Sequence, residues 1–441
     1  MKKSLWCALA LLISTRSVSP ASAAMVSKRT VLDNGIVLLT SEQRALPMVT
    51  IELLIDAGSR NEPVNQAGLA NLTSQLLTHG TQKRSATEIS ETLDFMGASL
   101  STAAGEDVAT VSMTILKKDL ASGLELLADI LTHSNFPQPE IDRQKQAVIA
   151  SIRAREEDPG SVAEKAFAAA LFPKSPYGRP VEGTQSSVKG LQQKALQEFF
   201  TRNYRPNRTI IAVVGDVAEQ EIAQALSRDM KNWTKGTPAA KPTAPAEIGK
   251  AQNVEVNKDL TQANIVLGHN GVARGNPDYY AVQVMNYILG GGGFSSRAMD
   301  SIRNERGLAY SVYSYFSAEK SHGSFQFVMQ TKNETAFEAI QIAKEEMRRM
   351  RERPVTDQEL NDAKDYLIGS FPLRFDTNRK VAGFLAQVEY YELGLDYPDR
   401  YASLVRKVTG DDVLRVAKQY LHPEELITVI VANQKETGQK K

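Results

Sequence analysis

Cysteine is all but missing: the 441-residue chain holds one, Cys7. That excludes a disulfide framework and every cysteine-based zinc module. Histidine is scarce as well. Five occur, at positions 79, 133, 269, 322 and 422, and none stands within five residues of another. A metal site built on neighbouring histidines is excluded too. Neither sign of charge is in excess: 52 basic against 51 acidic residues leave a net charge of +1. A general nucleic-acid binder would carry a basic surplus. No apolar run reaches the ~20 residues that a membrane span needs. No G-x-S-x-G elbow is present either, so serine-nucleophile chemistry of that type has no support.

The remaining composition is that of a soluble globular protein, with 42% hydrophobic and 23% charged residues. The length calls for at least two domains. The first 23 residues read as a secretory signal. Lys2 and Lys3 form a positive start, Leu5 to Ile13 a short apolar stretch, and Ala21-Ser22-Ala23 an A-x-A cleavage site. Cleavage there removes Cys7 and leaves a chain without cysteine, which suits an oxidising compartment such as a bacterial periplasm. The expected location is the periplasm.

Residues 234–250, TKGTPAAKPTAPAEIGK, have the composition of a linker. They divide the chain into an N-terminal domain (24–233) and a C-terminal domain (251–441). The two parts look alike. Tyr204-Arg205-Pro206-Asn207 leads into the apolar strand Ile210 to Val214, and Tyr420-Leu421-His422-Pro423 leads into Ile427 to Val431. Val49 to Ala57 and Asn264 to His269 read as the opening strands of the two halves. An offset near half the chain is too long for a solenoid and reads as two copies of one α/β domain. Capping boxes at Ser85 to Glu88 and Thr356 to Glu359 open helices, and Gly97 to Met113 alternates as strands do.

Residues 68–81, GLANLTSQLLTHGT, form an amphipathic helix with Leu69, Leu72, Leu76 and Leu77 on its buried side. His79 falls at its end and reads as a surface residue. Further on come SPYGRPVEGT, NYRPNRTIIAVVGDV and LGGGGFSSRAMDSIRNERGLAYSV. In order and spacing these segments resemble the pitrilysin/insulinase family of inverzincin metallopeptidases, which includes the mitochondrial processing peptidases. The resemblance covers nearly the whole chain after the signal. It implies an α+β fold of two homologous pitrilysin-type domains, each a mixed sheet packed with helices, in a clamshell joined by the linker.

In that family the helix carries H-x-x-E-H, two zinc-binding histidines and a general-base glutamate. The matching residues here are Asn71, Ser74 and Gln75, and Ser151 in ASIRAREEDP stands where the family has its third ligand, a glutamate. Zinc takes Cys, His or carboxylate donors, and a catalytic site needs three. All of them and the base are replaced together, so the zinc site is vacated. The resemblance implies no cofactor on this chain.

The second half keeps its family motif. Tyr279 to Leu289 is helical by period, Gly290 to Gly293 follow, and a helix from Ser295 to Arg306 comes next. A phosphate loop is excluded, because neither its lysine nor a preceding strand is present. The resemblance makes Gly290, Gly291, Gly292 and Gly293 a substrate-binding loop that lets a peptide backbone approach. It makes Arg303 and Tyr310 a pair that reaches the zinc site, Tyr310 donating to the scissile carbonyl and Arg303 holding the substrate backbone. The family's substrate-binding edge strand usually carries Asn-Ala, and Ser101 and Thr102 stand there.

The resemblance therefore implies the zinc-free subunit of a two-chain metallopeptidase acting on peptides. Its partner would be a homologous chain with intact H-x-x-E-H, and that partner would hold the zinc. The alternative is a clamshell binding or scaffold protein that has lost catalysis.

Overall fold

The computed structural model describes residues 27–437, so the stretch expected to be a signal, residues 1–23, lies outside the described residues. In the first half the strands are β1 (Lys28–Val31), β2 (Val37–Glu42), β3 (Met48–Ile55), β4 (Ser99–Ala104), β5 (Ala109–Leu116) and β6 (Thr209–Gly215). The helices are α1 (Leu69–Leu76), α2 (Ala86–Met96), α3 (Leu120–His133), α4 (Gln138–Glu157), α5 (Pro159–Leu171), α6 (Gln185–Gly190), α7 (Gln193–Asn203) and α8 (Glu219–Asp229). The second half has strands β7 (Gln252–Asn257), β8 (Gln262–Asn270), β9 (Ala309–Ala318), β10 (Gly323–Lys332) and β11 (Ile427–Ala432). Its helices are α9 (Tyr279–Asn286), α10 (Ala336–Glu352), α11 (Asp357–Ser370), α12 (Asn378–Tyr390), α13 (Tyr397–Arg406) and α14 (Gly410–Tyr420). Among the described residues no helix is long and apolar enough to cross a membrane.

The sheets run β1-β2-β6-β3-β5-β4 and β7-β11-β8-β10-β9. Apart from the added β1, the second order repeats the first strand for strand. The parallel pair recurs as well, β2 with β6 and β7 with β11, all other pairings being antiparallel. The repeated sequence signals thus correspond to a repeated topology, but the strands at Val49 and Asn264 do not open their halves: β1 and β2 precede the one and β7 the other. Both expected capping boxes form, Ser85 with Glu88 and Thr356 with Glu359.

The central strands are mostly apolar and buried on both sides, as in ITVIVA of β11, where every residue including Thr428 is buried, because both faces of each sheet are covered. One face packs on helices of its own half. The other is covered by a helix from the opposite half. Val381, Ala382, Leu385 and Ala386 of α12 pack on Leu39, Leu54, Ala212 and Val214 of the first sheet. Reciprocally, Ala163, Phe167 and Leu171 of α5 pack on Val266, Val429 and Val431 of the second. Gly268 of β8 makes room for this exchange, since a Cβ there would stand 2.5 Å from the Phe167 ring. Burying Phe167 alone stabilises the joint by roughly 2–3 kcal/mol.

Residues 234–250 carry neither helix nor strand. They are nevertheless pinned. Asn207 Nδ2 donates to Gly236 O at 2.9 Å, Gly236 N donates to Asn207 Oδ1 at 2.8 Å, and Gly249 N donates to Leu171 O at 2.8 Å. The segment divides the sequence, but the two exchanged helices interlock the cores. A flexible link between independent halves is therefore not what forms.

The β4–β5 and β9–β10 turns meet at the junction of the halves. Asp107, buried, accepts from Tyr177 OH at 2.9 Å and from Tyr390 OH of α12 at 2.8 Å, and lies 3.1 Å from Arg60 Nε. Burial is the main cause that pushes the Tyr177 phenol up to about 12 and the Tyr390 phenol higher still. Both hydroxyls stay protonated donors at neutral pH. His322 stacks on Tyr177 with ring centroids 3.8 Å apart, and its Nε2 lies 3.7 Å from Glu106.

Candidate functional site

Helix α1 starts without a side-chain cap of its own, at Gly68 with φ +94°. Glu62 serves instead: its carboxylate accepts from Ala70 N at 2.7 Å and from Gly68 N at 3.3 Å. An acid at this end also suits the helix dipole. Burial is the largest influence on Glu62 and pushes its carboxyl up to about 7, against the opposing pull of the Ala70 N–H, the Arg179 charge and the Gly68 N–H. Leu69, Leu72, Leu76 and Leu77 are buried as the pattern requires. The helix itself ends at Leu76, so His79 lies past it. His79 is half-buried, not a surface residue, and burial lowers its pKa.

Asn71 and Gln75, one turn apart, share a face of α1. Gln75 Nε2 donates to Asn71 Oδ1 at 3.1 Å, and Gln144 Nε2 of α4 donates to Gln75 Oε1 at 2.7 Å. With Ser151, Arg155 and Glu182 they line a cavity of about 350 Å³. Three of the four expected positions therefore converge. Ser74 does not join them: it is wholly buried, and its carbonyl accepts from Thr102 Oγ1 of β4 at 2.8 Å. The edge position expected of Ser101 and Thr102 holds, since β4 ends the first sheet. Gln144 was not singled out from sequence, although it precedes Ser151 by two helical turns on the same face of α4.

This donor set does not fit zinc. Amides and a hydroxyl stand where imidazole or carboxylate is needed, and the one carboxylate in the lining, Glu182, pairs with Arg155 at 3.2 Å. Among the described residues no three His, Cys, Asp or Glu stand close enough to hold a metal. What the cavity does offer is a ladder of three neutral amides, joined by two hydrogen bonds.

The second motif forms elsewhere. Arg303 lies in a π-helical turn, Met299–Asn304, and Tyr310 is the second residue of β9, the edge strand of the second sheet. The Arg303 guanidinium carbon sits 4.9 Å from the Tyr310 ring centre and 5.0 Å from that of Phe294. Both rings are exposed, Tyr310 at 78% and Phe294 at 72%. Such stacking holds the guanidinium over the rings and is worth about 0.5–1 kcal/mol at an exposed site. Neither Arg303 nor Tyr310 lines the α1 cavity. Phe294 went unnoticed in the sequence, its signal being only its place directly after the glycines.

The glycines themselves are mostly committed to their own chain. Gly290 and Gly291 close a π-helical turn that continues α9, and the helix expected from Ser295 begins instead after a 3-10 turn, Gly293–Ser295. A Cβ on Gly290 would meet Ser314 Oγ of β9 at 2.5 Å, so the backbone that Gly290 admits is that of β9. Asn286 and Ser314 lock this contact through two bonds, of 3.1 and 2.8 Å. Gly292 would meet Tyr287 O at 2.8 Å, whereas Gly293 has open space at its Cβ position and φ +57°.

Known proteins share this arrangement. Residues 37–185 match the profile of the insulinase family, peptidase family M16, and residues 190–367 match that of the M16 inactive domain. An uncharacterized zinc protease of Streptomyces coelicolor is 29% identical, covering 91% of this chain and 89% of its own. A non-peptidase homolog of Helicobacter pylori is 26% identical, covering 90% and 92%. The crystal structure of a peptidase M16 inactive domain from Pseudomonas fluorescens superposes with a TM-score of 0.87 at 27% identity, covering 92% of this chain and 98% of that one. The repeated topology and these matches lead to one assignment: the chain belongs to peptidase family M16, the insulinase family.

Proposed function

We propose that this chain is the zinc-free subunit of a periplasmic two-chain M16 peptidase. It presents Arg303 and Tyr310 to a homologous partner whose intact H-x-x-E-H holds zinc, and the pair hydrolyses peptides. The observation that carries this reading is the exposed Tyr310 ring, stacked with half-buried Arg303, in a chain whose own α1 helix lacks a zinc-binding donor set. An arginine between two exposed rings contributes little to the core, so its placement suits contact with another molecule.

The partner would supply the metal-bound water and its base. The Tyr310 phenol would donate to the oxyanion that forms at the scissile carbonyl, and Arg303 would hold the substrate backbone and add positive potential. Gly293, with open space around it, would be the part of the glycine segment nearest a bound peptide. A second reading, a binding or scaffold protein without catalysis, draws support from the relative named a non-peptidase homolog.

The test is peptide cleavage by the zinc-bearing partner, copurified from the native periplasm, mixed with saturating wild-type or variant chain. Tyr310→Phe keeps the ring and removes the hydroxyl. Turnover should fall about tenfold to a thousandfold while subunit association stays constant. Full turnover with both Tyr310→Phe and Arg303→Ala would favour the scaffold reading.

A further inference from the structure

A cavity of about 440 Å³ lies beside α12, away from both motifs described above. Its charged lining is Arg274, Arg374 and Lys380, and among the described residues no carboxylate lines it. Tyr279, Phe384 and Tyr397 supply ring walls. The cavity beside the exchanged partner helix α5 differs in kind, with four glutamates and four cations in its lining. The α12 cavity thus carries a surplus of positive charge that its α5 counterpart lacks.

Arg274 is held in place by neutral groups. Its guanidinium carbon lies 3.8 Å from the Tyr279 ring centre and 5.6 Å from that of Tyr397, and Nη2 donates to Tyr397 OH at 3.0 Å. Nearby acids are engaged elsewhere. Glu319 accepts from Tyr391 OH at 3.1 Å, and Asp376 pairs with Lys380 at 2.9 Å. No ion pair reaches Arg274 or Arg374 among the described residues, and Arg374 rests over the Phe371 and Tyr401 rings at 5.6 and 5.8 Å. A half-buried guanidinium without a counter-charge is costly unless something supplies one. Guanidinium forks match planar oxyanions, and the ring walls call for an apolar body attached to that anion.

We propose that this cavity binds an organic carboxylate, the C-terminal end of a short peptide. Arg274 and Arg374 take the carboxylate, and Tyr279, Phe384 and Tyr397 surround the terminal side chain. A small inorganic anion would leave the rings unused. The proposal needs neither a partner chain nor peptide cleavage, so it stands apart from the reading above.

The test is calorimetric titration of the full chain with acetyl-alanyl-phenylalanine as free acid, with the same peptide as its amide, and with phenyl phosphate. The free acid should bind saturably, and the amide at least about tenfold more weakly. Arg274→Gln and Arg374→Gln should each weaken the acid by about tenfold, and added salt should weaken it further. Arg374 is exposed, so its variant reports even if Arg274→Gln unfolds the chain. Equal binding of acid and amide, absence of saturable binding, or unchanged affinity in Arg374→Gln would overturn the proposal. So would binding of phenyl phosphate without binding of the acid, which would make the site one for phosphate.

Discussion

Gln144 donates its amide to Gln75 at 2.7 Å, tying α4 to α1 across the cavity where the family places its metal. The hydrogen-bonded amide ladder thus runs through two of the positions expected of metal ligands, Asn71 and Gln75.

Restoring the ligands should separate metal affinity from stability. Asn71→His, Gln75→His and Ser151→Glu all face the cavity and can be accommodated there. Ser74→Glu places a carboxylate at a wholly buried position and should cost more than about 2 kcal/mol. The triple variant should therefore take up zinc, measured by elemental analysis after dialysis, and stay folded. The quadruple variant should melt well below it. Equal melting temperatures would show that the Ser74 position can turn toward the cavity.

Cutting the 234–250 segment should not release the halves. A protease site placed between Ala240 and Lys241 would sever the chain, but α5 and α12 would remain seated on the opposite sheets. The nicked protein should elute as one species under native conditions and separate only in denaturant. Either half made alone would expose the apolar face its missing helix covers and should be insoluble.

The junction at Asp107 should be sensitive to single atoms. Tyr390→Phe removes one charge-assisted bond and should cost about 1.5–3 kcal/mol in urea unfolding. Asp107→Asn should cost about 3 kcal/mol or more, because it leaves buried Arg60 with Asp56 alone, at 2.7 Å. An effect under half a kcal/mol for both would mean that the exchanged helices alone hold the halves.

Glu62 predicts a pH dependence of defined sign. Its folded carboxyl is raised to about 7, above the unfolded value of 4.5, so the folded state binds more protons between those limits. Its contribution to stability is then fully present below pH ~4.5 and declines as pH rises through 7. Glu62→Gln removes this titration. The melting temperature of the wild type minus that of the variant should therefore be larger at pH 5 than at pH 8, and a constant difference would contradict the assignment.

Local chemistry wrote much of this protein into its sequence. Apolar periodicity set the leucine face of α1, capping boxes set the starts of α2 and α11, and matching strand signals disclosed the repeat. Residue identity alone spoke against a zinc site, because Asn71, Gln75 and Ser151 offer only poor zinc donors wherever they stand. Other features depend on residues far apart in the chain, whose meeting no local period encodes. Nothing local in the apolar stripes of α5 and α12 names their target, and only the packed structure decided that each serves the opposite sheet. Ser74 sits one residue from Gln75, yet the rotation of α1 against β4 buries it. Gly290 looked like room for a substrate until β9 proved to fill that room. Arg274 had no motif at all, since rings and loops from separate helices build its cavity. The sequence by itself determined what each segment could be and what chemistry it lacked. The tertiary structure decided which faces meet, because burial is satisfied by whatever surface the whole chain brings nearest.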